Sequence, residues 1–367
     1  MTNRDIVVIG GSAGSIKPLT SVLGRLPTDL KAAVIVVIHV PSGSLGVYSA
    51  VASGCPLPVI MAQDGMPIER SRVYIAPPNH HLLLLDGHFK LGNGPRENLA
   101  RPAIDPMFRS AALTAGSRVI GLILSGMLND GASGLATIKR CGGIALVQAP
   151  NIAASPAMPI AALEATPVDL SGAEEDIALA ITRLVGEEAG PPVATPPELR
   201  LEVEIAAGAA STVDTIEKLG HPIALTCPDC GGVMSEIDEA RPLRFRCQVG
   251  HAYTGKALLS QQQDVVDEAM RVALRIIEER AELVSRMARD ADVSGRNGMA
   301  ETYAQRADEY RAQAEVLRQA LVQLMELKSQ GLNETDIAAH EARAELEQSV
   351  SDVHPCNPPF CPHPSRP

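Results

Sequence analysis

The chain has no tryptophan and only five tyrosines and four phenylalanines in 367 residues, and its net charge is −11. Bases would find few aromatic rings to stack on and phosphates no cationic face, which argues against a nucleic-acid partner. The charge is also unevenly divided. Residues 1–186 hold 14 Lys+Arg against 13 Asp+Glu, and the rest of the chain holds 18 against 30. No apolar run approaches a membrane span, and the start lacks a basic segment leading into an apolar one, so a cytoplasmic protein is expected. Seven cysteines are too few and too scattered for a disulfide framework. What the chain does have is 46% hydrophobic residues, enough to fill the cores of two or three domains.

The most informative stretch is DIVVIGGSAGS, residues 5–15. Residues 6–9 form a short, β-branched apolar run of the kind that fills a parallel sheet. Gly10, Ser12 and Gly14 then spell G-x-S-x-G ahead of an amphipathic helix over residues 16–26. Ser12 stands at the apex of a sharp strand-to-helix turn, where backbone N–H groups and a helix start make an oxyanion site beside a potential nucleophile. A glycine-rich turn of this kind also suits a dinucleotide. That fingerprint, however, needs glycine where Ser12 stands, and an acidic residue at the end of the second strand.

The second strand, AAVIVVIHV, instead ends in His39. Parallel strands end on one rim, so His39 shares a rim with Ser12; alone, such a histidine is more often a core residue. Short strands follow near residues 59–61, 73–76 and 82–85, and His80 and His81 read as turn residues after a double proline. Arg96, Arg101 and Arg109 form either a cationic lip or part of a solvated loop. A further buried strand at 119–124 leads through a glycine-rich loop to Asp130, which is either a helix N-cap or a third functional group on the same rim. Ser12, His39 and Asp130 are the three residue types an acyl-transfer triad requires: a hydroxyl, a base that takes its proton near neutral pH, and a carboxylate that orients the imidazole. Their order along the chain differs from that of the α/β-hydrolases.

Four segments, GGSAGS, VIHVP, RPAIDPMFRSAA and LSGMLNDGASGL, resemble the catalytic domain of CheB-type chemotaxis receptor methylesterases over residues 4–186. The resemblance implies a serine hydrolase that demethylates γ-glutamyl methyl esters on a methylated chemoreceptor or similar helical protein, often with deamidation of glutamine, and needs no catalytic cofactor. Carried over, Ser12 is the nucleophile, His39 the general base and Asp130 its orienter, with the backbone N–H groups of Ala13 and Met127 as oxyanion donors. The chain departs from the usual G-A-S-T-G-G elbow at Gly11, Ala13 and Ser15. The first strand begins at Asp5, which leaves no place for the usual amino-terminal receiver domain, so phosphorylation in cis is not expected to gate activity. The competing readings are a catalytically silent signalling scaffold and a nucleotide-binding domain.

The expected architecture is α/β: a doubly wound, mostly parallel sheet with flanking helices over residues 1–186. A linker over 187–220 is rich in proline, alanine and glutamate. Cys227 and Cys230, then Cys247 and His251, follow in a zinc-ribbon-like module over 221–256. They match a closed Cys3His structural zinc site; the alternative is four unconnected buried groups. Residues 257–330 carry apolar positions at alternating three- and four-residue steps, as in an antiparallel helical hairpin, self-packed or open to a signalling partner. Residues 331–367 read as a disordered tail, in which Cys356, Cys361 and His363 are potential metal ligands.

Overall fold

The computed structural model describes residues 3–39, 46–238 and 241–351, except for the side chains of 46 and 327–351. The first half runs β1 (Ile6–Gly11), α1 (Ile16–Gly24), β2 (Ala33–Ile38), α2 (Gly46–Ala52), β3 (Val59–Met61), β4 (Arg72–Ile75), β5 (His81–Leu85) and β6 (His88–Gly92). It continues with α3 (Ile104–Ala115), β7 (Val119–Ile123), α4 (Ala132–Arg140), β8 (Ile144–Gln148), α5 (Ala157–Ala165), β9 (Leu170–Gly172) and α6 (Glu174–Gly186). Seven of these strands form one sheet in the order β3-β4-β2-β1-β7-β8-β9, every pairing parallel.

The apolar runs alternate between two faces. Val8 belongs to a cluster with Met107, Phe108 and Ala111 of α3 and Leu135 and Ile138 of α4. Val7 and Ile9 pack with Leu19, Val22 and Leu23 of α1 and Ile177 and Ile181 of α6. Helices therefore cover both faces of a sheet buried on both sides, as continuous apolar strands require. From β1 the chain passes outward to β2, then to the edge strand β3 and back to β4 between them, and afterwards crosses to β7 on the other flank of β1. The winding direction reverses between β1 and β7, and a crevice opens there at the carboxyl rim. α1 stops at Gly24, short of the expected Leu26 and just ahead of Pro27.

β5 and β6 form a separate antiparallel hairpin. His81 is not a turn residue: it opens β5 fully buried, with Nε2 2.9 Å from Pro95 O and Nδ1 accepting from Ala103 N.

The span expected to be a linker contains α7 (Pro197–Ala207) and α8 (Val213–Glu217). Leu199, Glu202, Val203 and Ala206 of α7 are buried, with Leu199 and Val203 in the same cluster as α3. Proline at the first helical position starts α7 well, and its composition conceals an apolar stripe. Four antiparallel strands follow, β10 (Gly220–Thr226), β11 (Val233–Ile237), β12 (Arg244–Cys247) and β13 (Ala252–Thr254). Next come the long helices α9 (Gly255–Val293) and α10 (Asn297–Ser351).

The chain divides into two compact units, residues 1–321 and 322–367. Within the first, α9 and α10 form a hairpin: Ala281, Ala291, Ala307, Ala314 and Leu321 are buried, Arg311 Nη2 donates to Ser285 Oγ at 2.7 Å, and Arg318 pairs with Glu278. Val266, expected in the apolar seam, is exposed. The described part of the second unit is the remainder of α10, which stays helical through Gly331 to Ser351, where an irregular tail was expected.

Candidate functional site

Ser12 leaves β1 at the centre of the sheet. Its N–H donates to Ser125 O at 2.9 Å, tying the elbow to the loop after β7. Ser15 caps the bend through its hydroxyl, which donates to Ser12 O at 2.6 Å. Glycine is required at two places here. Gly14 lies at φ +77°, where an added Cβ would come within 2.6 Å of Ala154 Cβ, and a Cβ on Gly126 would approach Ser12 Cβ to 3.0 Å. The neighbouring Ala13 and Met127 N–H groups donate no hydrogen bond within the described residues.

His39 follows β2, with its N–H on Gly11 O at 3.1 Å. Its Nε2 lies 2.9 Å from Asp130 Oδ2. The pair is close but not aligned as a straight hydrogen bond, and Nε2 has no other hydrogen-bond partner among the described residues. No hydrogen bond joins Ser12 Oγ to His39 among the described residues, but both line one cavity of about 390 Å³, with Tyr48, Arg96, Asn98, Leu99, Arg101 and Met127 also in its wall. Arg96 and Arg101 thus border the cavity. Arg109, the third expected lip residue, is buried elsewhere.

Asp130 does not cap its own following helix. Its Oδ2 accepts Ile104 N–H at 2.6 Å and its Oδ1 accepts Asp105 N–H at 3.3 Å, so the carboxylate caps the amino end of α3, whose own N-cap, Ala103, provides no side-chain bond. Asn98 Nδ2 donates to Asp130 Oδ1 at 2.9 Å and to Asp105 Oδ2 at 3.0 Å. Burial alone would raise the Asp130 pKa, but the contact with His39 and the donors at Ile104 and Asn98 hold it below the usual carboxylate range. Burial, reinforced by the Asp130 charge, pushes its neighbour Asp105 up to about 7. Asn98 carries no sequence signature; only its fold position assigns it here.

Beneath this site lies a buried charge cluster. Glu97 accepts from Arg109 and, at 2.9 Å, from Arg246. Glu202 pairs with Arg109 at 3.3 Å, Arg244 at 2.6 Å and Arg246 at 3.2 Å. Burial would raise the pKa of both carboxylates, and the guanidinium groups around them hold both low.

Cys227, Cys230, Cys247 and His251 also come together, their ligand atoms all within 4.8 Å of one another. The Cys230–Cys247 sulfur separation is 3.7 Å, and His251 Nδ1 lies 3.7 Å from Cys227 Sγ and 3.5 Å from Cys247 Sγ. A zinc tetrahedron built from ordinary Zn–S and Zn–N bonds has edges of about 3.6–3.8 Å, so the four groups could hold such an ion. Burial pushes the Cys227 thiol up to about 12 in the protein alone. A bound cation reverses that tendency, because it binds the thiolate. Asp229 stands 3.8 Å from His251 Nε2, in position to orient the ring. Cys356, Cys361 and His363 lie outside the described residues.

A parallel α/β sheet that brings a serine elbow and a His–Asp pair to its carboxyl rim defines the class. The sequence comparisons define the family. The CheB methylesterase profile matches residues 7–181. A Leptospira interrogans protein named putative protein-glutamate methylesterase/protein-glutamine glutaminase is 39% identical over 184 residues, covering 50% of this chain and 95% of that protein. An Anaeromyxobacter dehalogenans protein named protein-glutamate methylesterase/protein-glutamine glutaminase 2 is 40% identical over 166 residues, covering 45% of this chain and 49% of its own length. The crystal structure of the Thermotoga maritima CheB methylesterase catalytic domain aligns with a TM-score of 0.48 at 30% identity, covering 50% of this chain and all of that one. The chain belongs to the CheB methylesterase family. The cysteine-bearing module and the hairpin lie beyond the matched residues.

Proposed function

We propose that the chain is a protein-glutamate methylesterase that hydrolyses γ-glutamyl methyl esters on a methylated chemoreceptor through an acyl-enzyme on Ser12, and can hydrolyse the corresponding glutamine amide. One observation carries the reading: Ser12 and His39 line a single cavity, and Asp130 sits 2.9 Å behind the imidazole. In this mechanism His39 takes the Ser12 proton with the ring nitrogen not engaged by Asp130, and Oγ attacks the ester carbonyl. The oxyanion that forms is held by the Ala13 and Met127 N–H groups, which donate to nothing else in the described structure. Collapse expels methoxide, which His39 protonates to methanol; water then repeats the sequence and frees the carboxylate. Asp130 stays ionised throughout, because its pKa is already held low, and so stabilises the imidazolium without taking its proton.

Arg96 and Arg101 in the cavity wall suit an acidic receptor helix. Cys227, Cys230, Cys247 and His251 would hold a structural zinc, all four positions being protein ligands with none left for water. Among the described residues no helix is long and apolar enough to cross a membrane. Methanol release from methyl-esterified receptor tests the enzymatic reading: wild type should release it and Ser12→Ala should not, whereas equal rates from the two would end it.

A further inference from the structure

The cysteine-bearing module and the candidate triad are joined by a short hydrogen-bonded path. His251, one of the four clustered ligands, is followed directly by β13. Ala252 O accepts Asn98 N–H at 2.9 Å, and Ala252 N–H donates to Arg96 O at 3.3 Å. Thr254 N–H donates to Asn98 Oδ1 at 2.9 Å. The other end of the same amide donates to Asp130 Oδ1. Leu99, the next residue, packs against the module core of Cys227, Met234, Phe245, Cys247 and Tyr253 while it also lines the cavity.

This stretch depends on outside support. Asn98 and Leu99 sit at φ +49° and +68°, a backbone region that side chains other than glycine rarely occupy unless held there. Glu97 is anchored through its side chain by Arg109 and Arg246 and exchanges backbone bonds with Ala100, but Asn98 is held only by β13 and by Asp130 and Asp105. β13 is in turn held by the turn between two ligands, where Cys247 N–H donates to His251 O at 2.9 Å. The module contributes only five residues to its buried apolar cluster, two of them candidate ligand cysteines, with Ala257 and Leu258 of α9 completing it, so a bound metal would contribute much of its rigidity. The Arg244 and Arg246 ion pairs keep the module attached to α7 and Glu97 without metal. Metal loss would therefore loosen the turn and β13 rather than detach the module.

We propose that the Cys3His module is a metal-dependent clamp on the esterase site. With zinc bound, β13 fixes Asn98, and Asn98 is a positioning residue that holds Asp130, and through it His39, in register with Ser12. The inference rests on the serine-esterase reading. It assigns the module a role in setting turnover, although none of its residues touches the ester.

The test uses the full-length reduced protein, stripped of metal by a chelator and then either reloaded with zinc or left bare. Two quantities are read: the rate at which a small alkyl phosphonate fluoride labels Ser12, and amide hydrogen exchange at residues 97–100 and 252–254. Zinc should speed labelling about tenfold, the size of one charge-assisted hydrogen bond to the orienting carboxylate, and should slow exchange in both segments. Asn98→Ala should keep its zinc and its KM for a small methyl ester while kcat falls, and zinc removal should then slow it no further. A clamp with no role predicts the opposite. Equal labelling and equal exchange at 97–100 with and without zinc would overturn the proposal, as would a zinc effect of the same factor in wild type and Asn98→Ala. If Ser12 is not labelled in either state, the esterase reading fails, and the exchange data still decide whether zinc fixes the 97–100 segment.

Discussion

Glu202 is the most heavily used buried carboxylate outside the candidate site, and Glu202→Gln removes its charge without opening a cavity. In the wild type its two oxygens face Arg109, Arg244 and Arg246. After substitution Arg109 and Arg246 still have Glu97, but Arg244 is left with the neutral hydroxyl of Ser133 at 2.8 Å. Breaking a buried pair from one side costs about 3–5 kcal/mol, and the surviving partners place this case near ~3. The midpoint of thermal unfolding should fall by roughly 6–12 °C, at ~2–4 °C per kcal/mol for a domain of this size. Glu204→Gln, two residues on and exposed, serves as the control and should stay within ~0.5 kcal/mol of wild type. The pH dependence has a definite sign. The folded-state pKa of Glu202 is held well below its ordinary 4.5, so its stabilisation is complete above that pH and is lost as pH falls toward the folded value. Urea melts of both variants between pH 3 and 8 test this. A Glu202→Gln loss below ~1 kcal/mol at pH 7, or a difference that does not shrink in acid, would refute the reasoning.

Three further outcomes follow from the site. Asp130→Asn gives His39 and the α3 amides an amide in place of a carboxylate, so kcat for methyl-ester hydrolysis should fall by about 10³–10⁴ with little change in KM; a fall under tenfold would contradict the assignment. Gly126→Ala pushes a methyl against Met158 and Ser12 Cβ. Met158 can move but the Ser12 main chain cannot, so stability should drop by ~1–3 kcal/mol and Ser12 labelling should slow, checked by melting and phosphonate kinetics. Asp105, raised to about 7 by burial and by Asp130, is protonated in the folded chain and ionised in the unfolded one between about pH 4 and 7, so this group makes stability fall as pH rises through that window, by ~4 kcal/mol in all. Its carboxyl ¹³C resonance should titrate near 7; a midpoint near 4 would contradict this.

The residues of the candidate site were legible because they sit at ends of unmistakable strands. Residues 6–9 and 33–38 are buried without exception, and the ends of their strands bring Ser12 and His39 to the rim. The cysteine spacing likewise foretold that Cys227, Cys230, Cys247 and His251 converge. What stayed hidden depends on long-range partners. Arg109 looks like any arginine of a polar segment until α7 and β12 supply Glu202 and Arg246 around it. Asn98 gains its place only when β13 arrives from more than 150 positions away. α7 was missed because proline, alanine and glutamate dominate it, although Leu199, Val203 and Ala206 recur at helical spacing and are buried.

The central claim is that Ser12 carries the acyl group between the loss of methanol and the attack of water. Rapid acid quench of the enzyme mixed with methyl-esterified receptor peptide, followed by digestion and mass spectrometry, tests it most directly. The account predicts a γ-glutamyl ester of the peptide on the fragment containing Ser12, formed at the rate of the methanol burst and absent from Ser12→Ala. Methanol released from the wild-type enzyme with no adduct on that fragment at any quench time would contradict it.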